Sequence, residues 1–126
     1  MIKTVNIEIW GRTFQLDIMS NFYESEDLSP KQAAAIKHFL SNLKWIEKSK
    51  TDVEKYCKID VENDDENQKK DNIFSYIKPE CIFVEDNVKI PRVALMLHYR
   101  YDPEHGLAVV FDKHGNVTVG IQDIIL

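Results

Sequence analysis

Two turns in the last third of the chain leave few ways to fold it. Asp102-Pro103-Glu104-His105-Gly106 and Lys113-His114-Gly115 separate three strand-like runs that begin at Val93, Leu107 and Val117. Asp followed by Pro suits a type I turn, because Pro presets φ and the Asp carboxylate accepts a backbone N–H. Gly106 then takes the left-handed conformation that returns the chain to a strand without a Cβ clash. The second turn has the length of a three-residue hairpin loop with Gly at the left-handed position. That length pairs Phe111 with Val117, Val109 with Val119 and Leu107 with Ile121, so all six apolar side chains share one face. Val93–Leu97 is apolar at every position, which predicts a strand buried on both faces.

Earlier in the chain, Val5, Ile7 and Ile9 alternate with polar residues, as do Phe14, Leu16 and Ile18. A two-residue loop at Gly11-Arg12, of type II′, would pair Ile9 with Phe14, Ile7 with Leu16 and Val5 with Ile18. Trp10 then falls on the opposite face as a rim aromatic beside the turn. After a polar connection over 21–28, Ser29-Pro30 with Gln32 forms a capping box and opens a helix. Ile36, Phe39, Leu40, Leu43 and Ile46 form its apolar stripe. Extending that stripe would bury Glu47 and Lys50, so the helix is expected to stop near Lys48. A second box, Thr51-x-x-Glu54, restarts a helix bearing Val53, Tyr56 and Cys57, and Tyr56–Val61 is read as its continuation. Lys37, Lys44 and Lys48 line the polar side of the first helix, where an ordinary solvated face explains them better than a docking face for an acidic partner. Trp45 lies near that side and is expected to pack on the second helix or a loop. Glu62 to Asn72 is poor in apolar residues and reads as a mobile loop. A short apolar run at Ile73–Ile77, a strand at Cys81–Glu85 and a turn at Asp86-Asn87 follow. Pro91, lacking an N–H, marks an edge or a bulge.

The 126 residues suffice for one domain with its own core. No apolar run approaches a membrane span, and Met1-Ile2-Lys3 leads straight into a polar-interrupted strand, so no secretory or membrane segment is expected and a cytoplasmic setting is. Cys57 and Cys81 have no metal-like spacing and are taken as free thiols. Of the net charge of −5, most is local: Glu62, Asp64, Asp65 and Glu66 crowd into one tract. Such a balance argues against nucleic acid as a partner.

Arg100, Asp102, Glu104 and His105, with Asp123 as a potential neighbour, form the one cluster that could carry chemistry. Two carboxylates and an imidazole can hold a divalent metal or act as acid and base. Against this, side chains on a short turn diverge, and the turn itself accounts for Asp102, Pro103 and Gly106. Asp60, Glu62 and Asp64 have the spacing that opens a calcium loop. Asp65 stands where that loop needs Gly, and Asp71 where it needs Glu, so the motif is rejected. No Ser sits in a Gly-x-Ser-x-Gly elbow, and no Gly-rich phosphate loop is present. Neither a catalytic residue, a metal site nor a cofactor is therefore assigned.

The segment Tyr101-Asp-Pro-Glu-His-Gly-Leu-Ala-Val-Val-Phe111, followed by Val119-Gly-Ile-Gln-Asp-Ile-Ile-Leu126, resembles a family of small bacterial proteins known as a domain of unknown function. Leu28-Ser-Pro-Lys-Gln32 is similar to the middle of that family. The resemblance covers about the last quarter of the chain and implies no assigned chemistry. Some such proteins look like immunity or accessory proteins of bacterial toxin systems. The expected fold is α+β: an antiparallel sheet of about five to six strands, an N-terminal hairpin plus a C-terminal meander, covered on one face by two helices. The expected function is a non-enzymatic protein-binding module, with a toxin as the kind of partner implied. It would act through the acidic tract Glu62, Asp64, Asp65 and Glu66, through Trp10, or through the polar turn. The alternatives are a small metal-dependent or acid–base hydrolase centred on Asp102, Glu104 and His105, and a dimeric structural module pairing through an open sheet edge.

Overall fold

A computed structural model of the chain describes residues 3–20, 28–86 and 88–126. In chain order its elements are β1 (Lys3–Ile9), β2 (Arg12–Met19), α1 (Pro30–Leu40), α2 (Lys44–Glu62), β3 (Ile77–Val84), β4 (Val93–Tyr99), β5 (Leu107–Phe111) and β6 (Val117–Gly120). The strands form one six-stranded sheet in sequence order. Four junctions are antiparallel, but β2 and β3 run parallel, with Asp17 beside Cys81 and Met19 beside Phe83. The fold is thus α+β, with one parallel junction in place of a wholly antiparallel sheet. Both helices lie between β2 and β3, and a crossover of that length is what parallel neighbours require.

β4 and β5 are interior strands, and their apolar runs are buried on both sides. Ile36 and Phe39 of α1 and Ile46, Val53 and Cys57 of α2 close the main core over Ile7, Ile9, Leu95, Leu97, Val109 and Phe111. Alternate residues of the same strands form a smaller cluster, Phe83, Ala94, Met96, Ala108, Val110 and Ile125. The β5–β6 hairpin has the anticipated register, Phe111 opposite Val117 and Val109 opposite Val119, with Gly115 at φ +81°.

The N-terminal hairpin is shifted by two residues from expectation. Ile9 pairs with Arg12, Ile7 with Phe14 and Val5 with Leu16, and the loop is Trp10-Gly11. Both loop residues have positive φ, 48° and 90°, as a type I′ turn needs. A two-residue shift leaves every side chain on its original face, so alternation cannot choose between the registers. Trp10 decides it. Rather than a rim aromatic it is a buried one, 8% exposed. Its Nε1 donates to the Ile46 carbonyl at 2.8 Å and its backbone N–H to Glu47 Oε1 at 3.3 Å. The left-handed backbone at Trp10 costs about 1–2 kcal/mol, which burying an indole with its N–H satisfied offsets.

The helices also divide elsewhere than expected. The Ser29–Gln32 capping box forms, with Pro30 in the first turn. α1 then ends at Leu40 rather than near Lys48. Ser41 Oγ donates to the Lys37 carbonyl at 2.9 Å and Asn42 Nδ2 to that of His38 at 2.8 Å, satisfying the helix end with side chains. α2 runs unbroken through Thr51, whose hydroxyl turns back to Lys48 O instead of capping a new helix. Its buried stripe is Ile46, Ser49, Val53 and Cys57. Ser49 hides its polarity by donating to Ile46 O at 2.6 Å. Tyr56–Val61 is helical, as anticipated.

β3 starts at Ile77, four residues before the expected Cys81, and passes through Pro79 with a register shift between Pro79 and Cys81. Past Val84 the chain is closed by Glu85 and Arg92. The carboxylate accepts from Arg92 N, Nε and Nη2 at 2.8–2.9 Å. Pro91 falls in that loop, outside the strands. The polar connection expected over 21–28 and the turn at Asp86-Asn87 fall mainly on 21–27 and 87, outside the described residues.

Candidate functional site

The antiparallel pair β4–β5 has a polar end and an apolar end. At the polar end, Asp102 Oδ1 accepts the His105 N–H at 3.3 Å, and Gly106 N donates back to Asp102 O at 2.9 Å. Gly106 sits at φ +60°, as anticipated; a Cβ there would stand 2.9 Å from Leu97 O. The turn also draws Asp102 and His105 together, contrary to the expected divergence: Nδ1 of the imidazole donates to the carboxylate at 3.0–3.1 Å. An Asp that accepts the N–H three residues on already points its carboxylate toward that residue's ring.

The other members of the predicted cluster do not join them. Glu104 and Asp123 are exposed and act on His105 only through charge. Arg100 turns away to Asp64, at 3.6 Å. The hydrogen bond and charge of Asp102, then the charges of Glu104 and Asp123, raise the His105 pKa above its ordinary value. Among the described residues no three His, Cys, Asp or Glu side chains are arranged to hold a metal ion. The clefts flanking α1 and the end of α2 are not lined by Asp102, Glu104 or His105.

The acidic tract has a structural partner at the end of β4. Tyr99 OH donates to Asp60 Oδ2 at 2.6 Å and Tyr101 OH to Asp64 Oδ2 at 2.7 Å. Asp60 lies in the last turn of α2 and Asp64 just past its C-cap Asn63, while Tyr99 ends β4 and Tyr101 follows it, so the two hydrogen bonds join the end of the helix to the end of the strand. Asp64 Oδ1 also accepts from Glu66 N and Asn67 N, each at 3.1 Å. The Tyr101 hydrogen bond, aided by these N–H groups and Arg100, holds the Asp64 carboxyl below the usual range. Buried Asn67 donates to Ser75 Oγ at 3.0 Å, tying 62–72 to the segment before β3. Glu62, Asp65 and Glu66 remain exposed.

Neither thiol is poised for nucleophilic work. Burial pushes both Cys57 and Cys81 up to about 11, so both are protonated at neutral pH.

At the apolar end, α1 and the loops beside it enclose a cleft of about 280 Å³. Its floor is Ala35, Phe39, Val93 and Phe111. Phe39 and Phe111 pack with ring centroids 5.4 Å apart. Trp45 forms a wall, edge-on to His38 at 5.3 Å and pressed onto Gly115, where a Cβ would come within 2.5 Å of the indole. This meets the expectation that Trp45 packs on a loop. His38 Nε2 donates to Lys113 O at 2.9 Å, tying α1 to the β5–β6 turn.

Lys31 from α1, Lys89 from the β3–β4 loop and Lys113 from the β5–β6 turn line the same cleft and are exposed. Among the described residues none of the three pairs with a carboxylate. Asp112, the acid at this rim, is taken up within its own turn. It accepts from His114 N, Asn116 N and Asn116 Nδ2 at 2.8–2.9 Å. Burial opposes its ionisation, but these hydrogen bonds outweigh that and hold its pKa low. Sequence reasoning missed this site, because its cations come from three distant segments with no shared spacing.

The family defined as a domain of unknown function, DUF6985, matches residues 1–126. The chain belongs to that family. No curated protein and no solved structure matches this DUF6985 domain significantly. Among its described residues no helix is long and apolar enough to cross a membrane.

Proposed function

We propose that this DUF6985 domain is a non-enzymatic protein-binding module. One contrast supports the reading. The carboxylates and imidazole that could do chemistry are hydrogen-bonded on an exposed turn or along a strand, whereas a firm-walled apolar recess opens to solvent elsewhere. Binding surfaces combine apolar anchoring pockets with a polar rim in this way. Following the resemblance of the C-terminal segment to small bacterial proteins, the setting is the bacterial cytoplasm and the partner a toxin that the domain neutralises as an immunity-type protein.

The test is co-expression with the product of the adjacent gene, followed by size-exclusion chromatography with light scattering. A stoichiometric complex, together with suppression of that partner's activity, supports the proposal. A chain that elutes alone from every such co-expression overturns it. A second reading, dimerisation through β1, draws on one observation: among the described residues β1 has β2 as its single neighbour in the sheet. A mass of two chains for the isolated protein in the same experiment would favour it.

A further inference from the structure

From the cleft beside α1 we infer the chemistry of the partner: a protein segment that inserts one or two large apolar side chains and flanks them with carboxylates. The inference rests on reading the domain as a binding module, and it adds what is bound and where.

Size comes first. Pockets for cofactors and drug-sized ligands occupy about 300–1,000 Å³. At about 280 Å³ the cleft sits at the bottom of that range, a size that one or two large side chains fill. The lining decides what anchors there. The floor of Ala35, Phe39, Val93 and Phe111 offers no polar side chain to orient a nucleotide or a sugar. Trp45 is braced on Gly115 and His38 is tied to Lys113 O, so the recess exists before anything enters it. Preformed walls reduce the ordering cost of association.

Charge decides what flanks the anchor. Lys31, Lys89 and Lys113 converge on this cleft from three separate elements, on a chain whose net charge is −5. The local sign is therefore opposite to that of the molecule: the ionised Asp112 offsets one of the three ammonium charges and leaves the rim positive, and its oxygens are occupied by the turn rather than by the lysines. Exposed Ile90, at 51%, extends the apolar surface out of the recess between these cations. Carboxylates on either side of an inserted Leu or Phe would meet ammonium groups, and basic flanks would be repelled. A flat anionic membrane fits less well: it would touch the lysines, leave the concavity unfilled, and face the repulsion of an acidic protein.

The experiment is an amide-resolved NMR titration of the full chain with the synthetic peptide Asp-Glu-Leu-Phe-Glu-Asp and with Lys-Lys-Leu-Phe-Lys-Lys. The acidic peptide is expected to shift the amides of Ala35, Val93 and Phe111 and to bind at least ~10-fold more tightly, a gap that narrows in high salt. Ala35→Leu, which fills the recess with a good helix former, should abolish the shifts while spectral dispersion stays intact. Lys31→Glu with Lys113→Glu should remove the preference for acid. Equal binding of both peptides, no shifts with either, or shifts at these amides produced instead by phosphatidylglycerol vesicles would each overturn the inference. A neighbour-gene complex unaffected by Ala35→Leu and the lysine reversals would overturn this site while leaving the binding-module reading standing. Peptide binding without any neighbour-gene complex would do the reverse.

Discussion

The two ends of the β4–β5 pair use polar residues in opposite ways. Where β4 leaves the sheet, Tyr99, Tyr101, Asp60, Asp64, Asp102 and His105 are all hydrogen-bonded to one another in pairs. Where β4 enters it, the surroundings are Ala, Phe, Trp and Pro, yet three lysines around a recess pair with no carboxylate among the described residues. Residue types that suggest chemistry thus hold the fold together, and unremarkable ones make the surface available to a partner. Paired groups have little left to offer a ligand, whereas unpaired charge beside concave apolar surface gains from one.

The sharpest challenge to this contrast is Gly115→Ala. The new Cβ meets the Trp45 indole at 2.5 Å and forces an L-residue to φ +81°. Left-handed strain and overpacking together should cost about 2–4 kcal/mol in chemical denaturation. Gly11→Ala serves as the control: φ is +90° but nothing lies within 4 Å, so only the conformational part, about 1–2 kcal/mol, is expected. Equal losses at the two sites would mean that Trp45 is not a fixed wall.

Next in size is Tyr99→Phe at the polar end. Tyr99 is buried, and its hydroxyl joins β4 to Asp60 near the end of α2. Removing it should cost about 1–3 kcal/mol and leave binding of the acidic peptide unchanged. Burial first, then the hydrogen bonds to Asp60 and Cys57, push this phenol's pKa strongly upward, so no phenolate absorbance should grow in from Tyr99 while the protein is folded. Smaller still is the double reversal Lys31→Glu with Lys113→Glu. Exposed on the surface, these residues should change stability by less than about 0.5 kcal/mol each while altering peptide preference. A large loss of stability there would erase the difference between the two ends.

The β5–β6 register was legible because Gly115 fixes the loop length, and length fixes pairing. The β1–β2 register was not, since Trp10-Gly11 and Gly11-Arg12 loops differ by two residues and keep the same faces. Choosing between them required knowing that α2 receives the Trp10 indole. The helix boundary was misplaced for a related reason: one continuous stripe would have buried Glu47 and Lys50, whereas the break after Leu40 re-phases α2 so that Ile46, Ser49 and Val53 face inward and Glu47 stays exposed. The parallel junction of β2 with β3 was invisible because alternation carries no strand direction. The pairing of Asp60 and Asp64 with Tyr99 and Tyr101 was hidden as well, because Asp64 and Tyr101 both lie just past the ends of their elements. The cleft could not be read either, as Lys31, Lys89 and Lys113 meet only once a helix and two loops are placed.

The finest distinction is in pH dependence, where the two structural ion pairs should behave oppositely. Asp102 raises the His105 pKa, so the pair's contribution is complete below the ordinary histidine value of 6.5 and fades as pH rises through the folded value. Hydrogen bonds from Arg92 lower the Glu85 pKa, so that contribution is present above the ordinary 4.5 and disappears as pH falls through the folded value. His105 lies on the surface, which makes its effect on stability slight but its titration easy to follow. In Asp102→Asn the His105 ring protons should titrate at lower pH than in the parent, with the Glu85 carbon signals unmoved. A His105 titration that ignores the substitution would mean the turn holds its shape through Pro103 and Gly106 alone. The polar end would then have an ionisable group left over, and its contrast with the cleft would weaken at the residue where chemistry was first suspected.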